Sequence, residues 1–170
     1  MKELYLIGGP MGIGKTTACR AAKSRLQNCV FLDGDWCWDM NSFQVTEETR
    51  RMVMENITFL LNQFLHCSVF DHVLFCWVMH QQEILNDLLS RIDTQNCRVH
   101  LVSLVCAQEE LEKRVQADIQ KGTRQKDALG RSLAYLPLYE SLNTCKLDVT
   151  GLTAEETAEK IILSPGEKIS

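Results

Sequence analysis

The sequence has no excess of positive charge and no long apolar run. Its 170 residues carry 18 lysines and arginines against 22 aspartates and glutamates, a formal net charge of −4. Nucleic acids and anionic membranes favour basic surfaces, so this balance argues against both as partners. No segment approaches the ~18 apolar residues of a membrane span, and the first apolar run is too short for a signal peptide. We therefore expect a cytoplasmic protein.

The eight cysteines lack the spacing of a zinc site, because no two of them stand in a C-x₂₋₄-C pattern. Several lie within apolar, strand-like runs, as Cys76 and Cys106 do. We interpret them as reduced, buried thiols that pack like small apolar side chains. Cys76 and His80 would share one face of a strand, but no third ligand accompanies them. The cysteines thus predict neither a disulfide framework nor a metal site.

Strand-like and helix-like segments alternate along the chain, which indicates one α/β domain covering residues 1–170. Short apolar runs predict buried parallel strands at 3–8, 29–33, 69–79, 98–106 and 146–149. Helical patterns lie at 15–26, 47–66, 81–92, 108–121, 131–143 and 154–163. Residues 164–170 are expected to form a frayed tail. Ligands of open α/β sheets bind beyond the carboxyl ends of the strands, so the site is expected there.

The first of these strand ends carries a complete G-x-x-x-x-G-K-[ST] phosphate-binding loop at residues 9–16. Glycines let backbone N–H groups turn towards a polyphosphate, and the following helix presents its positive N-terminal end. Lys15 can reach the β- and γ-phosphates, and Thr16 can place its hydroxyl on Mg²⁺. The loop therefore predicts a nucleotide triphosphate site formed by Gly9, Pro10, Met11, Gly12, Ile13, Gly14, Lys15, Thr16 and Thr17.

Two carboxylates separated by a glycine, Asp33 and Asp35, follow the second predicted strand. Alternate residues of an extended segment point the same way, so both could face one site. One could hold Mg²⁺, and the other could orient an acceptor hydroxyl and take its proton. Trp36 and Trp38 follow and could wall an acceptor pocket. The alternatives are a solvated Asp-Gly turn and tryptophans that only cap the core.

The third predicted strand has no carboxylate at its carboxyl end. Hydrolysing P-loop proteins normally place an aspartate there to hold Mg²⁺, but this run ends in His80 and Gln81, and Asp71 lies at its other end. The Mg²⁺ carboxylate must therefore come from elsewhere, and Asp33 is the best candidate. His80 is a candidate substrate contact at the strand end.

A basic, turn-rich stretch at residues 121–131 lies between the fourth and fifth predicted strands. A mobile cover carrying arginines suits phosphoryl transfer, which needs charge neutralised and water excluded. We expect Arg124 or Arg131 to contact phosphate, the alternative being a solvated loop. Arg114, on the preceding helix, could stack on an adenine face.

Together these features resemble small P-loop kinases of the nucleoside monophosphate kinase superfamily, in the branch of shikimate, gluconate and adenylylsulfate kinases and chloramphenicol phosphotransferase. The phosphate loop, the Asp-x-Asp, the Leu-Glu-Lys-Arg helix at 111–114, the basic cover and the segment 147–158 carry the resemblance in chain order. It implies a three-layer P-loop fold with a parallel five-stranded sheet in the order 2-3-1-4-5 and a short lid at about 122–131.

By the same resemblance, Asp33 would serve Mg²⁺, Asp35 would be the acceptor-binding general base, Arg114 would meet adenine and Arg124 would be the lid arginine. The sequence departs from shikimate kinases in lacking Gly-Gly-Gly after the third strand. It shows no matching set of nucleotide-binding arginines either, although Arg50 and Arg51 lie on the second helix.

The sequence therefore predicts a kinase that uses ATP and Mg²⁺ to phosphorylate a hydroxyl of a small molecule. Lys15, Asp35 and Arg124 are the predicted catalytic residues, and Thr16 and Asp33 are the predicted metal ligands. The acceptor contacts are predicted to be Asp35, Trp36, Trp38, His80 and Arg131. The alternatives are a nucleotide or nucleoside kinase and a P-loop regulatory protein that uses ATP to switch a partner. The acceptor and the oligomeric state stay open.

Overall fold

The protein is described by a computed structural model covering residues 1–168. Five parallel strands form one sheet: β1 (Lys2–Gly8), β2 (Cys29–Asp33), β3 (His72–Trp77), β4 (Cys97–Val105) and β5 (Cys145–Asp148). Their order across the sheet is β2-β3-β1-β4-β5. The predicted fold class and strand order are confirmed.

Six α-helices connect or follow the strands: α1 (Lys15–Arg25), α2 (Glu47–His66), α3 (Gln82–Arg91), α4 (Gln108–Gln120), α5 (Ala128–Tyr135) and α6 (Ala154–Ile162). Two short 3₁₀ helices, Gly34–Trp38 and Leu136–Ser141, follow β2 and α5. Among the described residues, no helix is both long enough and apolar enough to cross a membrane.

The strands separate two apolar cores because successive side chains point to opposite faces of the sheet. Tyr5 and Ile7 of β1 pack into the core that α1, α4, α5 and α6 cover. Leu4 and Leu6 pack into the opposite core, under α2 and α3. All four side chains are buried. Burial of both sheet faces explains why the strands are continuous apolar runs.

Two predicted elements differ from the observed ones. The predicted strand 69–79 is shortened to β3, because its pairing with β1 ends at the Gly8–Trp77 register pair, where β1 turns into the phosphate loop. The predicted helix 131–143 instead begins at Ala128 and gives way to the second 3₁₀ helix. Pro137 lies at the start of this 3₁₀ helix. A proline has no N–H to donate and its ring obstructs the preceding turn, so the α-helix cannot continue through this residue.

The prediction of a frayed tail is wrong for residues 164–167. Glu167 and Val99 exchange two backbone hydrogen bonds in an antiparallel bridge beside β4. The carbonyl of Ser164 lies 2.8 Å from the Nδ1 of buried His100. These contacts attach the segment to the sheet, and they join residues too distant in sequence for local patterns to reveal. Residues 169 and 170 of the predicted tail lie outside the described residues.

Candidate active site

The predicted phosphate loop connects β1 to α1 at the carboxyl edge of the sheet. Gly12 and Gly14 have φ angles of 81° and 99°, in the left-handed region that favours glycine. A Cβ on Gly12 would lie 2.5 Å from a methyl carbon of Val115 on α4. The first glycine of this pair is therefore needed both for its backbone angle and for close packing against α4.

Lys15 begins α1 and folds back over the loop. Its Nζ donates hydrogen bonds to the carbonyls of Gly9 and Pro10 at 2.8 and 3.0 Å. Only 9% of the residue is exposed, and this burial lowers the pKa of the Lys15 ammonium. The carboxylates of Asp33 and Asp35 oppose that shift. The arrangement places a desolvated positive charge where a polyphosphate would meet the loop.

Thr16 and the two predicted carboxylates form a connected group at the end of β2. The hydroxyl of Thr16 donates to Oδ2 of Asp33 at 2.5 Å. The other oxygen of Asp33 accepts the backbone N–H of Asp35 at 3.0 Å, and so caps the first 3₁₀ helix. Asp33 is buried and both of its oxygens are hydrogen-bonded, which holds the carboxylate in one orientation. Asp33 is therefore not the solvated carboxylate of a simple Asp-Gly turn, which was the alternative interpretation.

Asp35 lies on the solvent side of Asp33 and lines a cavity next to the loop. Desolvation of its inner side and then the negative charge of Asp33 raise the pKa of the Asp35 carboxyl. Lys15 and Arg124 partly oppose this rise. An accessible carboxylate with a raised pKa is a stronger proton acceptor than an ordinary aspartate, which suits a general base.

The cavity measures about 340 Å³ and runs from the phosphate loop to α4. Its walls are the loop, the start of α1, Asp35, and the α4 and post-α4 side chains of Arg114, Asp118, Lys121 and Arg124. Of the predicted site residues, the cavity brings together Met11, Gly12, Gly14, Lys15, Thr16, Thr17, Asp35, Arg114 and Arg124. A volume of this order is typical of small-ligand pockets.

Arg114 is held at the loop by three acceptors. Its guanidinium donates to the carbonyls of Ile13 and Val149 at 2.9 and 3.2 Å and to a carboxylate oxygen of Glu110 at 2.9 Å. These bonds join α4 to the phosphate loop and to the residue that follows β5. The sequence predicted that Arg114 lies on the helix before the lid. It did not indicate that Arg114 joins α4 to the loop, because two of its three acceptors are backbone carbonyls of residues distant in sequence.

The predicted lid segment, residues 122–131, divides into a turn and the first half of α5. Arg124 lies in the turn, where its Nε bonds to Asp118 at 2.8 Å, and it lines the cavity. Arg131 lies on α5, in an exposed ion pair with Asp127 at 3.2 Å, and is not among the cavity residues. The geometry thus favours Arg124 over Arg131 as the phosphate contact.

The two tryptophans of the first 3₁₀ helix lie beyond Asp35. Trp36 is half exposed and meets the ring of Phe31 edge-on, with centroids 5.3 Å apart. Trp38 packs partly against the core under α2 and faces the ring of Phe43 at 5.6 Å. Trp38 therefore packs on the core, as the alternative interpretation predicted, while Trp36 stays half exposed and is not among the residues that line the cavity.

His80 stacks on Tyr135 of α5, with ring centroids 4.1 Å apart and planes 6° apart. Burial lowers the pKa of the His80 imidazole, and its Nδ1 has no hydrogen-bond partner among the described residues. Tyr139, which sequence analysis missed, is fully buried next to Gly8, with its hydroxyl likewise unpartnered within the described chain. Neither tyrosine belongs to a recognisable motif, and only the fold brings Tyr135 to His80 and Tyr139 to Gly8 at the end of β1.

Comparisons with known proteins agree with this geometry. The sequence profile of the AAA domain family matches residues 6–131. A relative in Bacillus subtilis (strain 168), the uncharacterised ABC transporter ATP-binding protein YurJ, is 30% identical over 142 residues. That alignment covers 80% of this chain but 34% of YurJ, so the chain spans about a third of the length of this relative.

Several solved structures share the fold over nearly the whole chain. The tunicamycin resistance protein of Deinococcus radiodurans superposes with a TM-score of 0.69 at 15% identity, covering 98% of this chain and 99% of that one. A gluconokinase from Sinorhizobium meliloti 1021 gives 0.64 at 16% identity, with 94% and 89% covered. Shikimate kinase from Acinetobacter baumannii gives 0.59 at 22% identity, with 95% and 91% covered. The chain belongs to the AAA domain family and has a P-loop kinase fold.

Proposed function

We propose that the protein is a kinase that transfers the γ-phosphate of ATP to a hydroxyl of a small molecule. One observation carries the proposal, the group formed by Thr16, Asp33 and Asp35 beside the phosphate loop. In this group the buried carboxylate of Asp33 accepts a hydrogen bond from the hydroxyl of Thr16, which is the hydroxyl that binds Mg²⁺ in phosphate loops of this motif. The group also leaves a second, more basic carboxylate accessible at the cavity.

Mg²⁺ fits these residues. The Thr16 hydroxyl and the Asp33 carboxylate lie 2.5 Å apart and supply the hard oxygen donors that this ion prefers. Mg²⁺ is usually bound by one or two carboxylates together with substrate phosphates, and among the described residues no larger cluster of metal-binding side chains occurs. The bound ion would offset negative charge on the phosphates, while Thr16 and Asp33 hold it directly or through water.

The transfer itself needs a base and a set of positive charges. In the proposed reaction, Asp35 accepts the proton of the acceptor hydroxyl, and the acceptor oxygen forms a bond to the γ-phosphorus. The bond from that phosphorus to the β–γ bridging oxygen breaks, and ADP leaves. Lys15 and Arg124 stabilise the charge on the transferring group, and Arg114 braces the loop beside the nucleotide.

The residues directly after β3 favour transfer over hydrolysis. Hydrolysing P-loop enzymes normally have a carboxylate there to organise water. Here β3 ends at Trp77, and the residues that follow are Val78, Met79 and His80, none of which is a carboxylate. The similarity to YurJ, an ABC transporter ATP-binding protein, is therefore not enough to favour ATP hydrolysis as the function of this chain. An ATP-driven regulatory switch is the competing function from a different class.

A nucleotide or nucleoside kinase is the competing enzyme function, and Arg50 and Arg51 of α2 are the side chains that would favour it. The test is a thermal-shift screen of metabolites, antibiotics and nucleotides in the presence of an ATP analogue and Mg²⁺. A ligand at ~100 Kd stabilises the native state by ~2.7 kcal/mol, which such a screen detects. Stabilisation by a hydroxylated molecule that also accepts phosphate supports the proposal. Stabilisation by ATP alone, with no acceptor phosphorylated, favours the switch.

A further inference from the structure

A carboxylate, Asp118, lines the cavity beside Arg124, the arginine proposed to contact the transferring phosphate. Its Oδ2 accepts a hydrogen bond from the Nε of Arg124 at 2.8 Å. The side chains of Asp118 and Arg124 are 35% and 33% exposed, so water reaches the pair only in part. A negative charge in a site for polyphosphate repels that ligand, so an aspartate at this position needs a physical reason.

The stability of α4 does not supply that reason. Asp118 lies in the last turn of α4, which ends at Gln120, and that turn has no basic residue. The C-terminal end of a helix carries a partial negative charge, so an acidic side chain there lowers helix stability. Within residues 1–168, the cation paired with Asp118 is Arg124, which lies outside the helix. The contact with Arg124, rather than helix stability, accounts for the aspartate.

Asp118 holds the guanidinium in a way that leaves its outer nitrogens available. The bond uses Nε, and the two Nη groups of Arg124 make no hydrogen bond to any other described residue. Arg114, the other arginine that lines the cavity, instead donates from all three of its nitrogens to acceptors of the protein. Since a guanidinium carries five N–H donors in one plane, Arg124 is oriented by a fixed contact and can still donate to phosphate oxygens.

The main chain of Asp118 also fixes the turn that carries Arg124. The carbonyl of Asp118 accepts the N–H of Thr123 at 3.0 Å and the hydroxyl of Thr123 at 2.9 Å. Gly122 has a φ of 73°, in the left-handed region that favours glycine, and so lets the chain reverse after α4. Arg124 is partly buried, whereas the residues on either side of it are exposed. Asp118 therefore holds this turn through both its carbonyl and its carboxylate.

The charge of the held guanidinium reaches the two groups proposed to act on ATP and the acceptor. Burial is the main cause of the lowered pKa of the Lys15 ammonium, and the positive charge of Arg124 adds to it. Burial and then the charge of Asp33 raise the pKa of the Asp35 carboxyl, and Arg124 opposes that rise. Charges affect one another in this way only at short range. Arg124 is therefore close to the place where Lys15 would meet the γ-phosphate.

We propose that Asp118 is a positioning residue that holds Arg124 ready for the transferring phosphoryl group before ATP and acceptor bind. This inference rests on the proposed kinase function, in which Arg124 stabilises the charge on that group. A guanidinium that is already in position need not be reoriented during the reaction, so its charge acts fully in the transition state. An aspartate that holds the arginine away from the phosphates is the opposite arrangement, and removing its carboxylate would have the opposite effect.

The test measures Mg·ADP binding by calorimetry with and without aluminium fluoride, which mimics the transferring phosphoryl group and needs no identified acceptor. The measured quantity is the factor by which the fluoride tightens ADP binding. The variants are Asp118→Ala, Asp118→Asn, Arg124→Ala and the double variant Asp118→Ala/Arg124→Ala. Asp127→Ala is the matched control, because Asp127 pairs with Arg131 at 3.2 Å in an exposed contact and neither residue lines the cavity. Thermal unfolding of each variant checks that it is folded.

The inference predicts that Asp118→Ala reduces this factor by about 10- to 100-fold, because a displaced guanidinium no longer meets the phosphoryl group. Asp118→Asn should have a smaller effect, since its amide oxygen can still accept from Nε. Mg·ADP binding without the fluoride should not weaken, because the substitution removes a negative charge beside the phosphates. The double variant should match Arg124→Ala, because Asp118 acts only through that arginine. Asp127→Ala should behave as wild type.

An unchanged or larger factor in Asp118→Ala would overturn the inference, and so would independent effects of the two substitutions in the double variant. A wild-type protein whose ADP binding the fluoride does not tighten would overturn it too. A wild-type protein that binds neither ADP nor ATP would instead refute the proposed function itself.

Discussion

Thr16 of the phosphate loop and Asp33 at the end of β2 are joined by a 2.5 Å hydrogen bond between hydroxyl and carboxylate. The two residues are 17 positions apart in sequence, on elements that meet only at the carboxyl edge of the sheet. The bond links the element that would cradle the phosphates to the one that carries the proposed base. Asp33 then passes the connection on to Asp35 through the backbone N–H of that residue.

Asp33→Asn is expected to raise the Mg²⁺ concentration that gives half-maximal activity by about tenfold or more, because a neutral amide replaces the carboxylate proposed to hold the ion. The measurement is a Mg²⁺ titration of phosphate transfer at saturating ATP. Asp39→Asn is the matched control, since Asp39 is an exposed aspartate nearby on the chain. An unchanged Mg²⁺ requirement in Asp33→Asn would remove Asp33 from the metal site.

Asp35→Asn is expected to lower turnover by ~10²–10⁴ while ATP binding persists, because the amide cannot accept the acceptor proton. The raised pKa of the Asp35 carboxyl adds a pH dependence. The base must be ionised, so kcat/KM should fall as the pH drops through this raised pKa, at a higher pH than for an ordinary aspartate.

The neighbouring charge makes that profile testable. Asp33 is one of the groups that raise the pKa of Asp35, and kcat/KM for MgATP reports the free enzyme, in which no Mg²⁺ offsets the charge of Asp33. Asp33→Asn should therefore shift the acid limb of kcat/KM for MgATP to lower pH. The limb should be absent from the residual activity of Asp35→Asn. The same acid limb in all three proteins would show that another group is titrating.

The close packing of Gly34 predicts a specific loss of stability. A Cβ there would lie 2.6–3.0 Å from three atoms of Trp77, so Gly34→Ala is expected to lower the free energy of unfolding by ~1–3 kcal/mol. Gly130, within α5, has nothing within 4 Å of its Cβ position, and Gly130→Ala should raise stability by ~0.5–1 kcal/mol. Denaturant titrations would measure both. Equal effects of the two substitutions would contradict the packing at Gly34.

The lid segment is expected to close over ATP and acceptor. Arg124→Ala should lower turnover by ~10²–10³ and weaken ATP binding much less, because its charge is needed most in the transition state. Lys126→Ala, an exposed residue of the same turn, is the control. Hydrogen exchange at residues 122–131 should slow when both ligands are added. Exchange that ligands do not change, with normal turnover in Arg124→Ala, would make this stretch an ordinary charged loop.

Much of this fold was predictable from local sequence patterns. The strands are short apolar runs because both faces of the sheet are buried, and this makes their positions readable. The pattern Thr153-x-x-Glu156 is likewise typical of a helix start, and the two side chains form the reciprocal hydrogen bonds of a capping box at the beginning of α6. The strand order came from the resemblance to P-loop kinases, and the observed sheet confirms it.

The remaining features depend on contacts between distant residues. Nothing near Arg114 in the sequence indicates that Ile13 and Val149 accept its hydrogen bonds, and nothing near Glu167 indicates its pairing with Val99. In the candidate site, the residues of the phosphate loop motif were recognisable because phosphate binding demands glycines and a lysine at fixed spacing. Tyr139 was not, because a single buried tyrosine carries no local pattern.

In the proposed reaction the γ-phosphate of ATP moves to an acceptor hydroxyl, and Lys15 is needed for this step. The most direct measurement traces ATP labelled at the γ-phosphate through a single turnover, with Mg²⁺ and an acceptor that the thermal-shift screen identifies. In the wild-type protein the label should appear in a phosphate ester, with inorganic phosphate only a minor product. In Lys15→Ala transfer should be lost while the fold persists, because the substitution changes a side chain at the phosphate loop that belongs to neither apolar core. Exposed Lys23→Ala should behave as wild type. Label released mainly as inorganic phosphate, at the same rate with and without acceptor, or near-normal transfer by Lys15→Ala would contradict the account.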